Sequence, residues 1–203
     1  MTVAGKKWAG AYVTLDRYMT RDLGLKGTEL LVFAAIDGFA RSRGECTSTM
    51  GYFSFWSGRC RRSCGQAVAS LTEKDLVERG WRLDDTGWRV TYRLTDLSAR
   101  RRGDRDGEGE SVTLRGRYVT ELGLTGVDLV TYAALAELCP YGSERPVALS
   151  WLASWSGSSR ETVRRAVSRL EQAGLVARRA PESAGGPNVY GLAATVSQGV
   201  TRR

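Results

Sequence analysis

With 203 residues the chain has room for two small domains, since a typical domain has roughly 100–150 residues. Its 30 lysines and arginines exceed its 22 aspartates and glutamates, and the net charge of +8 favours nucleic acid as a partner. The chain has no histidine, which is the commonest general base and metal ligand, and this absence argues against an enzyme. No apolar run approaches the ~20 residues of a membrane span and no apolar signal core follows Lys6 and Lys7, so we expect a cytoplasmic protein without a membrane partner.

The first half of the chain predicts a small domain of three helices and a β-hairpin. A leader over residues 1–11 is expected to be a flexible basic arm, and a β-prone run over residues 12–15 is expected to pair with a strand of the hairpin. Residues 29–39 carry apolar side chains at helical spacing and predict the first helix. After a polar connection, the pattern predicts two more helices around a turn at Gly58.

The third helix of this half has an apolar stripe and a basic start. Its apolar residues recur at helical spacing, namely Cys64, Ala67, Val68 and Leu71. Arg59, Arg61 and Arg62 lie near its beginning. Gly65 lies inside the helix, where glycine costs about 1 kcal/mol relative to alanine. We therefore expect this helix to be the weaker of the two basic helices in the chain.

Residues 77–94 predict a β-hairpin with its turn at residues 84–87, because Trp81, Trp88 and Tyr92 lie in alternating runs on either side. Four arginines decorate it, namely Arg79, Arg82, Arg89 and Arg93. A hairpin directly after a basic helix is typical of a wing, which contacts the phosphate backbone or the adjacent minor groove of DNA. The equal alternative is that these arginines only solvate one face of the hairpin.

The second half of the chain repeats the first at a constant offset of 99 positions. Trp56-Ser57-Gly58 recurs as Trp155-Ser156-Gly157, and Leu23-Gly24-Leu25 recurs as Leu122-Gly123-Leu124. This self-similarity indicates a duplicated domain. A stretch rich in Gly, Arg, Asp and Glu between the copies predicts a solvated linker. We therefore expect domain 1 over residues 1–96, the linker over 97–111 and domain 2 over 112–203.

Residues 149–176 show the repeated pattern most clearly. Leu149, Leu152 and Trp155 predict one apolar helix face, and Ser156-Gly157 ends it. Ser158 and Glu161 have the spacing of a capping box at the start of the next helix. Upstream, the Thr-Gly-Val-Asp sequence at residues 125–128 is expected to cap the first helix of this copy.

The last helix of the second copy is strongly amphipathic. Its apolar stripe consists of Val163, Ala166, Val167 and Leu170. Its arginines fall off that stripe, on the solvent side, namely Arg160, Arg164, Arg165 and Arg169. Gly174 is expected to end the helix in the left-handed conformation. Residues 178–192 then predict a second hairpin, with Arg178 and Arg179 on its first strand.

The four cysteines permit a zinc site but do not favour one. Cys60 and Cys64 lie four residues apart on a predicted helix and are expected to share a face, so a site that also used Cys46 and Cys139 is conceivable. The second copy has no cysteine at the positions equivalent to Cys46, Cys60 and Cys64. We therefore expect reduced thiols, no metal site and no cofactor.

Both copies resemble the winged helix-turn-helix superfamily, on the helix–turn–basic helix–hairpin order described above. Within it, the sequence of residues 122–135 followed by that of residues 149–176 is similar to DNA-binding modules of phage and plasmid replication proteins and of small mobile-element regulators. The resemblance implies an α+β fold, mainly α, with two tandem winged-helix domains of about three helices and a hairpin each. It also implies that the second helix of each pair enters a DNA major groove.

The resemblance further implies a role for each polar residue. Thr162 and two arginines, Arg160 and Arg164, would reach base edges. Four more arginines would contact phosphates, namely Arg165, Arg169, Arg178 and Arg179. The backbone amides of Ser158 and Ser159 would take a phosphate at the helix start. The first copy would use Arg59, Arg61 and Arg62 in the same way, with Arg82 and Arg89 on its wing.

These features predict a sequence-specific binder of double-stranded DNA, a transcriptional regulator or replication initiator of a phage, plasmid or other mobile element. Its two copies would act as a covalent pseudo-dimer, in which each raises the effective concentration of the other. The alternative is an interaction protein that uses winged helices to bind a protein or protein–nucleic acid machine, such as an anti-CRISPR inhibitor of a host defence complex. Gly65, Cys60 and Cys64 in the first basic helix support that alternative, and a homodimer is compatible with both.

Overall fold

The computed structural model describes residues 8, 10–85, 87–98, 111–139, 142–181, 183 and 185–193. The protein is α+β and consists of helices and small sheets of two or three strands. It divides into two compact units, Asp16–Gly109 and Glu110–Arg203, the latter together with Met1–Leu15. We call these the first and second units. The sequence-based boundaries had placed residues 1–15 with the first domain.

Residues 12–16 form the first strand, β1 (Tyr12–Asp16), in which buried Val13 and Leu15 alternate with more exposed neighbours. This strand pairs with β4 (Ser111–Arg115) of the second unit in a two-stranded sheet. The expectation that it pairs with a hairpin strand is therefore wrong. Period-two alternation predicts a half-buried strand, but it carries no information about which strand will be the partner.

The first unit follows the predicted order of helices and hairpin. Its elements are α1 (Arg17–Arg21), α2 (Gly27–Arg43), α3 (Met50–Ser57), α4 (Arg61–Glu73), β2 (Val77–Asp84) and β3 (Gly87–Leu94). The core is built on α2, whose residues 30–37 are all buried and which packs against α3 and α4. Phe53 and Trp56 of α3 are fully buried. The short helix α1 had not been predicted.

The predicted hairpin is confirmed. Strands β2 and β3 pair antiparallel from Val77↔Leu94 to Asp84↔Gly87. Cys46 adds a single-residue β-bridge to Tyr92, because the Cys46 amide donates to the Tyr92 carbonyl at 2.8 Å and the Tyr92 amide donates to the Cys46 carbonyl at 2.8 Å. Val77 and Tyr92 at the base of the hairpin are buried, whereas its outer half extends beyond the core.

The second unit repeats this plan. After β4 its elements are α5 (Gly116–Thr120), α6 (Gly126–Leu138), β5 (Glu144–Pro146), α7 (Leu149–Ser156), α8 (Arg160–Gln172), β6 (Val176–Arg179) and β7 (Val189–Leu192). The strand order β5-β7-β6 makes a three-stranded sheet, in which β5 corresponds to the β-bridge at Cys46. Neither β5 nor the short helix α5 had been predicted.

Several sequence-based expectations fall on residues that the structure does not describe. They are most of the basic arm over residues 1–11 and most of the linker over 97–111. Among the described residues, no helix combines the length and apolar character that a membrane crossing requires.

Candidate nucleic-acid interface

The helix α8 has the predicted division into an apolar and a basic face. Val163, Ala166, Val167 and Leu170 are fully buried against the unit. The side chains of Arg164 and Arg165 are exposed on the other side, as is Arg160 at the first position of the helix. The turn before α8 is closed by Gly157 in the left-handed region, at φ +65°, a conformation that glycine adopts without a steric penalty.

The cap of α8 differs from the predicted one by a single residue. Ser159, not Ser158, occupies the cap position, and its hydroxyl accepts a hydrogen bond from the Thr162 amide at 3.1 Å. The Ser158 amide instead donates to the Ala153 carbonyl at 3.0 Å and closes the end of α7. The expected Ser158–Glu161 capping box is therefore wrong. Because the Ser158 amide is already bonded, it is not free to take a phosphate.

Glu161 pairs along the helix surface instead of reaching back to the cap. Arg164 donates to one of its carboxylate oxygens at 2.7 Å and Arg165 to the other at 3.1 Å. All three side chains are at least half exposed. Exposed pairs of this kind contribute only about 0.2–1 kcal/mol. Both arginines can therefore exchange the carboxylate for another anion at little cost.

Arg169 is held much more firmly. Its guanidinium donates from two nitrogens to one oxygen of Asp128, at 2.9 and 2.6 Å, and the Asp128 side chain is completely buried. The other oxygen of Asp128 accepts from the Thr125 amide at 2.7 Å, so the predicted cap of α6 is confirmed. This pair ties α8 to the beginning of α6. Release of Arg169 to a phosphate would leave a buried carboxylate without its counter-charge, which is costly.

The hairpin arginines of both units also have acidic partners. Glu45 accepts from Arg82 at 2.8 Å and from Arg93 at 3.0 Å, and these hydrogen bonds lower the pKa of the Glu45 carboxyl. Glu144, at the equivalent position of the second copy, pairs with Arg179 at 3.0 Å. Two further pairs are Arg89 with Asp84 at 2.5 Å and Arg178 with Glu171 at 3.0 Å.

The beginning of α4 is the counterpart of the beginning of α8. Arg61 is the first residue of α4, as Arg160 is of α8, and the two positions are equivalent in the repeat. Arg59, Arg61 and Arg62 are exposed. Within the part of the chain that the structure describes, these three arginines form no ion pair, and neither does Arg160.

Cys60 occupies in α4 the cap position that Ser159 occupies in α8. Its sulfur lies 3.3 Å from the Ser63 hydroxyl, and hydrogen bonding from Ser63 lowers the pKa of this exposed thiol. Cys64 is buried, with its sulfur 3.3 Å from the Ser57 hydroxyl. The expectation that Cys60 and Cys64 share a helix face is wrong, because Cys60 precedes the helix. All four thiols are free, and the described residues contain no cluster of three potential metal ligands.

An exposed apolar surface on the first hairpin had not been identified from the sequence. Trp81, Leu83 and Trp88 are 62%, 61% and 69% exposed. The cross-strand pairs Trp81↔Val90 and Leu83↔Trp88 place all of them on one face. The Arg79 guanidinium lies over the Trp81 ring, 5.5 Å from its centroid. Two features of the sequence could have revealed this surface. The alternation of apolar residues places them on one face, and strands of eight residues are too long for the core to cover that whole face.

No protein-family model matches the chain, and no curated protein sequence matches it. Among solved structures, the chain is similar to that of ScpB from Mycobacterium tuberculosis, at 15% sequence identity over 86% of this chain and 98% of that chain. The TM-score of this likeness is 0.29. Because the score is so low, the likeness carries no argument about the fold or the function of this protein.

Proposed function

We propose that the chain is a tandem winged helix-turn-helix protein that binds double-stranded DNA with sequence preference. In this proposal α3–α4 and α7–α8 are the two helix-turn-helix pairs, and the hairpins β2–β3 and β6–β7 are the wings. One observation carries the proposal. Arg61 and Arg160 occupy the first position of the second helix in the two copies, both are exposed, and neither has an acidic partner among the described residues.

The position of these arginines suits base recognition. In helix-turn-helix proteins the N-terminal residues of the second helix contact base edges. An arginine can donate two hydrogen bonds to one guanine, and a good bidentate contact discriminates against the wrong base by about 1–3 kcal/mol. Arg61 and Arg160 give up no ion pair to make such a contact. We therefore assign them to base recognition, with Arg59 and Arg62 beside Arg61.

The arginines whose acidic partners keep some contact with solvent suit a different role. They contact phosphates by exchanging the carboxylate for the DNA backbone, and they provide affinity and register without sequence information. This set contains Arg82, Arg89, Arg164, Arg165, Arg178 and Arg179. Arg169 is excluded from it, because its pair with buried Asp128 belongs to the fold. Thr162 is held in the cap of α8 by Ser159 and orients the helix start.

The overall charge of the chain favours polyanions as partners. Its net charge is +8, and the isoelectric point is about 9.6. Two linked modules bind more tightly than either alone, because binding of one raises the effective concentration of the other. Such binding serves a transcriptional regulator or a replication initiator of a phage, plasmid or other mobile element.

The test is selection of bound sequences from randomised double-stranded DNA with the full chain at near-physiological salt. We expect an enriched motif with two parts. Arg61→Ala should relax one part and Arg160→Ala the other, each with a loss of about 5- to 150-fold in affinity for the selected site. The matched control is Arg21→Ala, which removes an exposed arginine from α1, outside both helix pairs. Absence of enrichment, with only weak salt-sensitive binding, would overturn the proposal.

A second measurement separates base contacts from phosphate contacts. Each phosphate contact that is lost should reduce the slope of log affinity against log salt by about 0.9. Arg178→Ala should therefore flatten the slope and leave the selected motif unchanged. If Arg178→Ala changes the motif, or if Arg160→Ala affects only the slope, the assignment of roles is incorrect.

A further inference from the structure

The first hairpin has an apolar face that extends beyond the core. Cross-strand pairing places Val77, Tyr92, Trp81 and Trp88 on one face of the hairpin. Val77 and Tyr92 are buried, but Trp81 and Trp88 are more than 60% exposed, as is Leu83, the cross-strand partner of Trp88. In the second unit, the described residues of β6 and β7 include no exposed large hydrophobic side chain. The feature is therefore a property of the first hairpin and not of the repeated plan.

Exposed aromatic surface of this size is a candidate binding surface. A buried tryptophan removes about 150–250 Å² from water, so two tryptophans and a leucine form a patch of the size that marks binding sites on soluble proteins. The flat faces of the tryptophan rings match ligands that also present flat apolar faces.

Charge identifies the occupant. The Arg79 guanidinium lies over the Trp81 ring, and it has no acidic partner within the described part of the chain. A second copy of this chain would bring its own Arg79 and a net charge of +8 to the same surface, which opposes self-association. A polyanion with flat apolar groups fits both features. Single-stranded DNA has that chemistry, because its unpaired bases expose their faces and its phosphates carry the charge.

We propose that Trp81 and Trp88 form a stacking platform for the unpaired bases of single-stranded DNA, with Arg79 beside it to contact a phosphate. Duplex DNA does not fit this platform, because its bases stack on one another and present only their edges in the grooves. The inference rests on the proposed function, in that α4 and α8 hold a duplex while the hairpin holds an adjoining single strand.

The experiment compares three fluorescent probes with the full chain at one salt concentration: an oligo(dT) strand, an abasic strand of equal length and a blunt random-sequence duplex. We expect the chain to bind oligo(dT) more tightly than the abasic strand, which keeps the phosphates and lacks the bases. Trp81→Ala and Trp88→Ala should each weaken oligo(dT) binding by about 5- to 150-fold, the range measured for loss of one base–aromatic stack. Neither should change binding of the duplex or of the abasic strand.

Three variants serve as controls. Trp151→Ala removes a partly exposed tryptophan from α7, which is not part of the first hairpin, and should leave oligo(dT) binding unchanged. Trp81→Phe keeps an aromatic face and should retain most of the oligo(dT) affinity. The double variant Arg61→Ala/Arg160→Ala should weaken duplex binding and leave oligo(dT) binding unchanged.

Two results would overturn the inference while duplex binding remains. One is equal affinity of the wild-type chain for oligo(dT) and the abasic strand. The other is a wild-type dimer in sedimentation that Trp88→Ala dissociates, since the platform would then be an interface between copies. If the wild-type chain binds oligo(dT) through the tryptophans but does not bind the duplex, the result counts against the proposed function and not against this inference.

Discussion

The two copies share a plan but differ in how their basic helices are anchored. In the second unit, Ser159 caps α8 through the Thr162 amide, and Arg169 ties the helix to fully buried Asp128. In the first unit, Cys60 replaces the capping serine and makes no capping hydrogen bond to the helix. The corresponding tie there is an exposed pair at 2.5 Å between Lys74 and Glu29.

The copies also differ in what they offer to a partner. The second unit concentrates arginines on α8, where Arg164 occupies the position that Gly65 occupies in α4. The first unit has fewer charges on its helix but a longer hairpin with exposed tryptophans. We infer that the second copy depends on a well-anchored basic helix, whereas the first depends more on its hairpin.

The largest difference in stability between the two copies should appear when Asp128, the acidic partner of Arg169, is removed. Asp128→Ala deletes both the cap of α6 and the partner of Arg169. Breaking a buried pair costs about 3–5 kcal/mol, but Arg169 is partly exposed and can be hydrated, so we expect about 2–3 kcal/mol. The measurement is hydrogen exchange of the α6 and α8 amides in the full chain.

The matched change in the first copy is Glu29→Ala. Its pair with Lys74 is exposed, and such pairs contribute about 0.2–1 kcal/mol. We therefore expect little change in the exchange of α2 and α4. Equal losses of stability from Asp128→Ala and Glu29→Ala would show that burial of the acidic partner does not distinguish the two copies.

Substitutions of the two cap residues should change helix stability in opposite directions and by an intermediate amount. Ser159→Ala should destabilise α8 by about 1 kcal/mol, since it leaves the Thr162 amide without its acceptor. Cys60→Ser should stabilise α4, because serine is a good cap and Ser63 is already within reach. Hydrogen exchange of the first-turn amides of α8 and α4 measures the two changes in stability. A loss of stability in Cys60→Ser would mean that the thiol is the better cap in its surroundings.

Glycine substitutions in the first copy should differ in sign. A Cβ at Gly65 would meet no atom within 4 Å, and the residue is helical, so Gly65→Ala should stabilise α4 by about 0.4–1 kcal/mol. Gly58 ends α3 at φ +62°, where a side chain costs about 1–2 kcal/mol, so Gly58→Ala should destabilise the unit. Thermal unfolding of the full chain distinguishes the two. Stabilisation by both would be inconsistent with the assigned backbone conformations.

Much of this arrangement could be predicted from periodicity, and the remainder could not. The stripes on α4 and α8 and the first hairpin follow directly from spacing, because burial of one face determines both patterns. The choice between Ser158 and Ser159 as the cap could not be read, since two adjacent serines satisfy the same local rule. The partner of Arg169 lies 41 residues away in the chain, and the pairing of β1 with β4 is also non-local. Neither leaves a trace in a single sequence.

The smallest expected effect concerns the chemistry of the cap and not its stability. Cys60 is exposed and its pKa is lowered by hydrogen bonding from Ser63, whereas burial raises the pKa of Cys46 and Cys139. The thiolate is the nucleophile, so a lower pKa increases the reactive fraction near neutral pH. We expect iodoacetamide to alkylate Cys60 first, with a pH midpoint below that of an ordinary exposed thiol.

Peptide mass spectrometry across a pH series checks this expectation. Ser63→Ala removes the hydrogen bond and should move the midpoint of Cys60 alkylation upward, towards the ordinary value. Alkylated Cys60 adds bulk between Arg59 and Arg61, so the modified chain should also bind duplex DNA less tightly if α4 contacts it. If buried Cys46 reacts as fast as Cys60, the first copy is opening its core. In that case the weaker anchoring of α4, and not the chemistry of its cap, determines the reactivity of the thiols.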